Sequence, residues 1–167
     1  MISDRISQLL NEQYHKEVYS AHLYLAMCSY FLEQDLDGFA HFFRLQADEE
    51  LLHAAKQFDY VHEVDGKMTI GAIDAPQTEF NSMRDAFETA LAHEQEVTRS
   101  INNIVKASLE EGDFATHNFL QWFIQEQVEE ESSMRSIIAK VKLAEGNNSA
   151  IFLLNEELMA RKPDVAN

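Results

Sequence analysis

Four long apolar stripes run through this chain, and each is interrupted by carboxylates or amides near its middle. Leu10, Tyr14, Glu17, Ala21, Tyr24 and Cys28 advance by alternating steps of four and three residues, the spacing of one helix face. The second stripe is Phe39, Phe43, Gln46, Glu50, His53, Gln57, Tyr60 and Val64; the third is Met83, Phe87, Ala90, Glu94, Val97, Ile101 and Ile104. Leu120, Phe123, Gln127, Glu130, Met134, Ile137 and Val141 form the fourth. No segment sustains the alternation of a strand. Such a chain has to bury four polar-centred helix faces against one another, so the expected fold is an all-α four-helix bundle.

The interruptions keep a repeated interval. Glu50 and His53 lie 33 and 36 residues beyond Glu17, and Gln127 and Glu130 lie 33 and 36 residues beyond Glu94. The chain therefore reads Glu…Glu-x-x-His and then Glu…Gln-x-x-Glu. The midpoint of Glu17 and His53 falls in the turn Asp35-Leu36-Asp37-Gly38, and that of Glu94 and Glu130 falls on Gly112. At about 1.5 Å of rise per residue, each pair comes level about five turns from its own loop. Two hairpins packed in register would bring all six side chains together. A glutamate from each of two helices, with an i, i+3 polar pair from each of the others, is how a four-helix bundle builds a two-metal carboxylate site.

Charge counting supports that reading. Four buried carboxylates would each lose hydration worth several kcal/mol, which is untenable without cations or protons. Two divalent ions neutralise Glu17, Glu50, Glu94 and Glu130; two trivalent ions with one bridging oxide do so again. Oxygen-rich ligands with one imidazole suit iron or manganese and also admit zinc. The Gln127 half offers less charge and no imidazole, so its metal should be held more loosely. Tyr24, two turns beyond Glu17 on the same face, suits either a role beside the metals or core packing. Glu49, Glu126 and Glu129 flank the set and would extend it towards a third position or simply form a solvated face. Trp122 reads as packing, and His15, His22, His41, His62, His93 and His117, having no comparable partners, read as surface.

Helices are expected over approximately Ser3–Gln34, Phe39–Asp65 and Ser82–Glu111, with Gly112-Asp113 turning the chain into a fourth that ends near Gly146. A shorter amphipathic helix is expected over Ala150–Arg161, with Pro163 just beyond. The irregular stretch Gly66–Asn81 is long enough to travel the length of the bundle, making the second and third helices parallel. One domain over 1–167 follows, with the bundle in 1–145 and a short helix and tail in 146–167. The formal charge of −16 argues against nucleic acid, whose phosphates require a basic surface. No stretch approaches the roughly 18 apolar residues of a membrane span. The amino terminus lacks a signal-peptide layout, and Cys28 is the only cysteine, so the expected location is cytoplasmic.

Over essentially its whole length the chain resembles the bacterial non-haem ferritins. The residues that carry the resemblance are Glu17 with Tyr24, Glu49-Glu50-Leu51-Leu52-His53, Glu94, and Phe119-Leu120-Gln121-Trp122-Phe123 followed by Glu126-Gln127-x-Glu129-Glu130. The resemblance implies a ferritin-like bundle with one long crossover and an iron-storing ferroxidase oxidising Fe(II) with dioxygen or peroxide. Glu17, Glu50 and His53 would hold one iron, and Glu94 and Glu130 the second, with Glu50 bridging and Gln127 alongside. A third iron would use Glu49, Glu126, Glu129 and Glu130, and Tyr24 would neighbour the centre. It further implies a homo-oligomeric shell of twenty-four subunits whose acidic interior holds ferric mineral. Bacterioferritins resemble this bundle but carry two intact Glu-x-x-His pairs and a haem-ligating Met after the first Glu. Here Leu51 occupies that place, so no haem is expected. Rubrerythrins add a four-cysteine iron domain that a single cysteine cannot supply. A di-iron oxygenase and a purely structural bundle are the competing functions.

Overall fold

The structure, a computed structural model, describes residues 2–163; the end of the expected tail, 164–167, lies outside the described residues. Five helices account for it, with no strand among the described residues: α1 (Asp4–Leu32), α2 (Asp37–Glu63), α3 (Met83–Glu111), α4 (Phe114–Ala144) and α5 (Asn148–Met159). Local chemistry sets the helix ends. The side chains of Ser3, Ser82, Asp113 and Asn147 each accept a hydrogen bond from the backbone N–H three residues on, satisfying a donor that the first turn leaves open. Gly112 closes α3 in the left-handed region (φ +70°), where lack of a Cβ carries no penalty. Asp35 and Asp65 take the same region (φ 57°) just past α1 and α2.

Helices α2 and α5 each start two residues before the sequence expectation because their caps were not legible in the periodicity. Asn147 caps α5, so that helix begins at Asn148. Helix α2 begins at Asp37 although Leu36, its N-cap residue, gives no side-chain cap; Asn155 of α5 supplies the acceptor instead, its Oδ1 taking hydrogen bonds from Gly38 N (2.8 Å) and Phe39 N (3.3 Å).

Helix α1 packs on α2 and α3, α3 on α4, and α5 lies against α2 and α4. The connection after α2 climbs along α1. Asn11 bonds Lys67 and Thr69, His15 bonds Gly71, and Tyr30 packs edge-on against Phe80. Residue numbers rise together on both strands of this contact, so the connection carries the chain from one end of α1 to the other. Both α2 and α3 therefore start at the same end and run parallel. Two apolar clusters fill the interior. One gathers Met27, Phe31, Phe39, Phe43, Phe87 and Met134, with Phe31 stacked on Phe39 and Phe43; the other gathers Ile6, Leu10, Val61, Ile101, Ile104 and Leu120. Between them lies a layer of buried polar groups.

Candidate metal centre

Every helix of the bundle contributes to that layer. Gln13 and Glu17 come from α1, Gln46, Glu50, His53 and Gln57 from α2, Glu94 from α3, and Gln127 and Glu130 from α4; none is more than 5% exposed. A heptad-like run keeps one face inward, so polar residues at stripe positions cannot turn to solvent without carrying their apolar neighbours with them.

One ligand atom each from Glu17, Glu50 and His53 lies within 4.8 Å of the others, close enough to share one ion. His53 Nδ1 stands 3.5 Å from Glu50 Oε2. Glu17 Oε2, Glu50 Oε2 and His53 Nε2 are buried and accept or donate no hydrogen bond. Leaving such atoms unpaired costs about 1–3 kcal/mol each, and more for charged groups. Unpartnered buried polar atoms on all three residues of one close group are what a cation-binding site requires.

The other half of the layer is tied up by its own protein. Tyr24 OH donates to Glu94 Oε1, and Gln127 Nε2 donates to Glu94 Oε2 at 2.9 Å, with further bonds to Glu94 O and Thr98 Oγ1. Glu130 Oε2 accepts from Gln46 Nε2 at 2.8 Å. Glu17 Oε1 accepts from both Gln13 Nε2 (2.9 Å) and Gln57 Nε2 (3.1 Å).

The electrostatics follow from this crowding. Burial pushes the Glu17 carboxyl up to about 7 against the opposing hydrogen bond from Gln13. Glu50 is driven well above the usual carboxylate range by burial and then by the charges of Glu94, Glu17 and Glu130, so all four carboxylates sense one another. Burial likewise raises Glu94, and it raises Glu130, with Glu94, Glu49 and Glu126 adding to the latter. His53 is pushed down to about 4 by burial and by Lys56, and is neutral and ligand-ready at physiological pH. Burial thus favours the protonated form of each carboxyl, and a cation bound here would compete with protons.

Beside this set, Glu49, His53 and Glu126 also present ligand atoms within 4.8 Å of one another, both glutamates being half-buried. Glu129 is exposed and belongs to neither close group. Trp122 packs edge-on against His53 (5.3 Å between centroids) and carries Lys56 over its face (4.3 Å).

Three glutamines of the layer carry roles that sequence spacing alone did not reveal. Gln46 and Gln57 stood on the stripes without a role, and Gln13 lay one position off one. Each sits four residues from a ligand-type residue, before Glu17, before Glu50 and after His53, which is the neighbour spacing on a helix. The histidine reading needs correction. His22 and His62 are exposed, but His93 is half-buried with its Nε2 2.7 Å from Ser20 Oγ and its ring against Tyr19 and Tyr24. Burial pushes it down to about 4. His15 and His41 are also partly covered, joining Gly71 N and Arg161 O. They lie where the crossover and the region after α5 cover the helices, so a helix-face count could not place them.

A family model for the ferritin-like domain matches residues 7–144. The bacterial non-heme ferritin of Campylobacter jejuni is 40% identical over 156 residues, which is 93% of each chain. That of Staphylococcus aureus is 37% identical over 164 residues, covering 98% of this chain and 99% of its own. The crystal structure of an open-pore ferritin from the hyperthermophilic archaeon Archaeoglobus fulgidus superposes with a TM-score of 0.96 at 43% identity, covering 97% of this chain and all of that one.

Proposed function

This chain belongs to the ferritin-like family, and from that premise we propose that it stores iron, oxidising Fe(II) at the bundle centre and releasing ferric product to a mineral held inside a homo-oligomeric shell. The observation that carries the reading is the convergence of Glu17, Glu50 and His53, one ligand atom of each within 4.8 Å of the others, with Glu17 Oε2 and Glu50 Oε2 buried and without a hydrogen-bond partner. Iron is the substrate here. Glu17, Glu50 and His53 take the first Fe(II), Glu94 and Glu130 the second, Glu50 faces both, and Gln127 stands beside the second. Glu49 and Glu126, with Glu129 and Glu130, offer a third position from which iron moves in or out.

The protein's own part is positioning and charge balance. Cations displace the protons that burial keeps on the carboxyls, and each Fe(II) then yields one electron to dioxygen or peroxide. Tyr24, bonded to Glu94, is the side chain placed to exchange a proton with the second position. Haem lies outside the proposal, because Leu51 has no ligating atom. The chain is taken as one domain, with α5 docked on the bundle. No described helix is long and apolar enough to cross a membrane. A cytoplasmic location, twenty-four subunits and independence from nucleic acid complete the reading.

Anaerobic Fe(II) titration followed by admission of air tests it. The expected result is two strong sites per chain and a weaker third, then oxygen uptake; saturation at one iron per chain would refute the dinuclear centre. A structural bundle would take up no iron, and an oxygenase would oxidise an added organic substrate.

A further inference from the structure

A cavity of about 220 Å³ opens between α3 and α4. Gln127 forms part of its wall, and the same side chain donates to Glu94 Oε2 at 2.9 Å. One amide therefore stands between the cavity and the Glu94 carboxylate. The other polar groups of the wall are engaged with one another. Gln127 Nε2 donates to Thr98 Oγ1 (3.2 Å), Thr98 Oγ1 donates to Glu131 Oε1 (2.8 Å), and Arg135 Nη1 donates to Glu131 Oε2 (2.8 Å). Glu131 and Arg135 cancel in charge. What the wall offers an occupant is the hydrocarbon of Ile101, Ile124 and Val128, with the exposed Asn102 beside them. The side of the layer that carries Glu49 and Glu126 has the opposite character, with carboxylates next to His53. A surface of one sign concentrates counter-ions, so Fe(II) is drawn to the acidic side. In the α3–α4 cavity a dication would give up hydration and find only a carboxylate already paired with an arginine.

We propose that the cavity between α3 and α4 is the port by which dioxygen reaches the bundle centre, separate from the acidic side by which the cation arrives. The inference rests on the ferroxidase reading above and adds the oxidant's route. Dioxygen is small, neutral and apolar, and it enters a hydrocarbon-lined space without surrendering hydrogen bonds; apolar cavities take up xenon for the same reason. Hydrogen peroxide has to keep its hydrogen bonds, and the polar groups that line the space are already committed to one another. Gln127 is the side chain that dioxygen has to pass, and beyond it lies Glu94.

Two readouts test the port. Crystals of metal-free wild type under xenon pressure should show a bound atom against Ile101, Ile124 and Val128, a result independent of any iron chemistry. Fe(II) oxidation by the assembled protein is then followed at varied dissolved oxygen. Val128→Trp and Asn102→Trp set an indole over the opening from α4 and from α3. Each should raise the oxygen concentration for half-maximal rate severalfold and leave the rate at saturating oxygen unchanged. Binding of Co(II), whose visible absorption reports coordination without oxidation, should match wild type in both. Asn103→Trp, exposed on α3 outside the cavity, should alter nothing. With hydrogen peroxide as oxidant, all three variants should react as wild type does. Circular dichroism and particle mass check folding; if one plugged variant does not assemble, the other and the xenon experiment carry the test. An unchanged oxygen requirement in the plugged variants, equal slowing with peroxide, or xenon bound only elsewhere would overturn the proposal. Those results leave the ferroxidase reading standing, whereas wild type that consumes no oxygen with Fe(II) would remove both.

Discussion

On the proposed dinuclear reading, a single amide at position 127 sets how firmly the second half of the centre would grip its metal. Gln127 holds Glu94 through its N–H group and adds no charge. Replacing it with Glu deletes that donor and places a carboxylate against another, so the metal-free layer should be less stable and the second cation more tightly held. In stopped-flow oxidation at two irons per chain, Gln127→Glu should keep its first fast phase and recover it more slowly on a second addition. His53→Ala should instead remove the fast phase, since the preformed first position loses its only imidazole. Recovery in Gln127→Glu as fast as in wild type would show that the weak second half does not govern product escape. The ligand-type residues were legible because carboxylates on an apolar stripe conflict with burial, and a doubled interval repeats the conflict. Gln13 and Gln57 were harder to see, because a glutamine on a helix costs little and becomes informative only when its partner across the bundle is known. Acid–base behaviour also belongs to this scale. Raised carboxyl values mean that the unfolded chain loses its protons first, so ionisation above the ordinary carboxylate range destabilises the metal-free fold, for Glu17 up to about pH 7, with Glu50 and Glu130 acting in the same direction. His53 and His93 act with the opposite sign, since their folded values are near 4: they favour the fold as pH rises towards 6.5 and contribute no further change above it. Above pH 6.5 only the carboxyls remain, and metal-free protein should lose melting temperature as pH rises from 6.5 through 7 while Co(II)-loaded protein does not. A metal-free melting temperature that rises over that interval would contradict the assignment.

Helix α5 looks like an appendage in the sequence but completes α2. Gly38 approaches it so closely that an added Cβ would lie 1.8 Å from Asn155 O, and Asn155 Oδ1 accepts the opening N–H groups of α2. Neither fact was readable from periodicity, since a cap contributed from 117 residues away leaves no local pattern. The short turns and the four main helices were readable, the caps of α1, α3 and α4 lying within three residues of the groups they serve. The crossover's direction was legible only from its length; its path is set by side chains of α1, Asn11 and His15, that reach its backbone. Asn155→Ala should therefore cost about 1 kcal/mol, the usual worth of an N-cap acceptor, and should act by loosening α5 from α2. Hydrogen exchange would show it as faster exchange in the first turn of α2 and along α5, with the amides around Glu94 unaffected. Uniform acceleration across all helices would mean that α5 is not a separately docked element.

At the scale of the whole molecule, the chain leaves a good deal of apolar surface uncovered. Leu32 of α1 and Leu51 and Leu52 of α2 are each about half exposed, and on α5 Phe152 and Leu153 are more than 60% exposed. Scattered exposed leucines are ordinary, but these lie on helices whose opposite faces are fully packed, so the apolar residues outside the core form second faces. A shell built from copies of this chain would cover them. It would also explain why a net charge of −16 is tolerable, because acidic groups facing an enclosed space would be balanced by the iron stored there. On the proposed function the two activities would separate cleanly: oxidation would need only the bundle centre, whereas storage would need closure. Leu52→Glu places a charge on the exposed face of α2 one residue from His53, without touching the buried layer. Sedimentation should show twenty-four chains per particle for wild type and smaller assemblies for the variant. The variant should still bind two Co(II) per chain and still oxidise Fe(II), but its ferric product should precipitate rather than stay in solution at high iron loading. If Leu52→Glu assembles as wild type does, that face is not an interface. If it dissociates yet keeps hundreds of ferric ions soluble, on the order expected only of an enclosed mineral, storage does not depend on the shell.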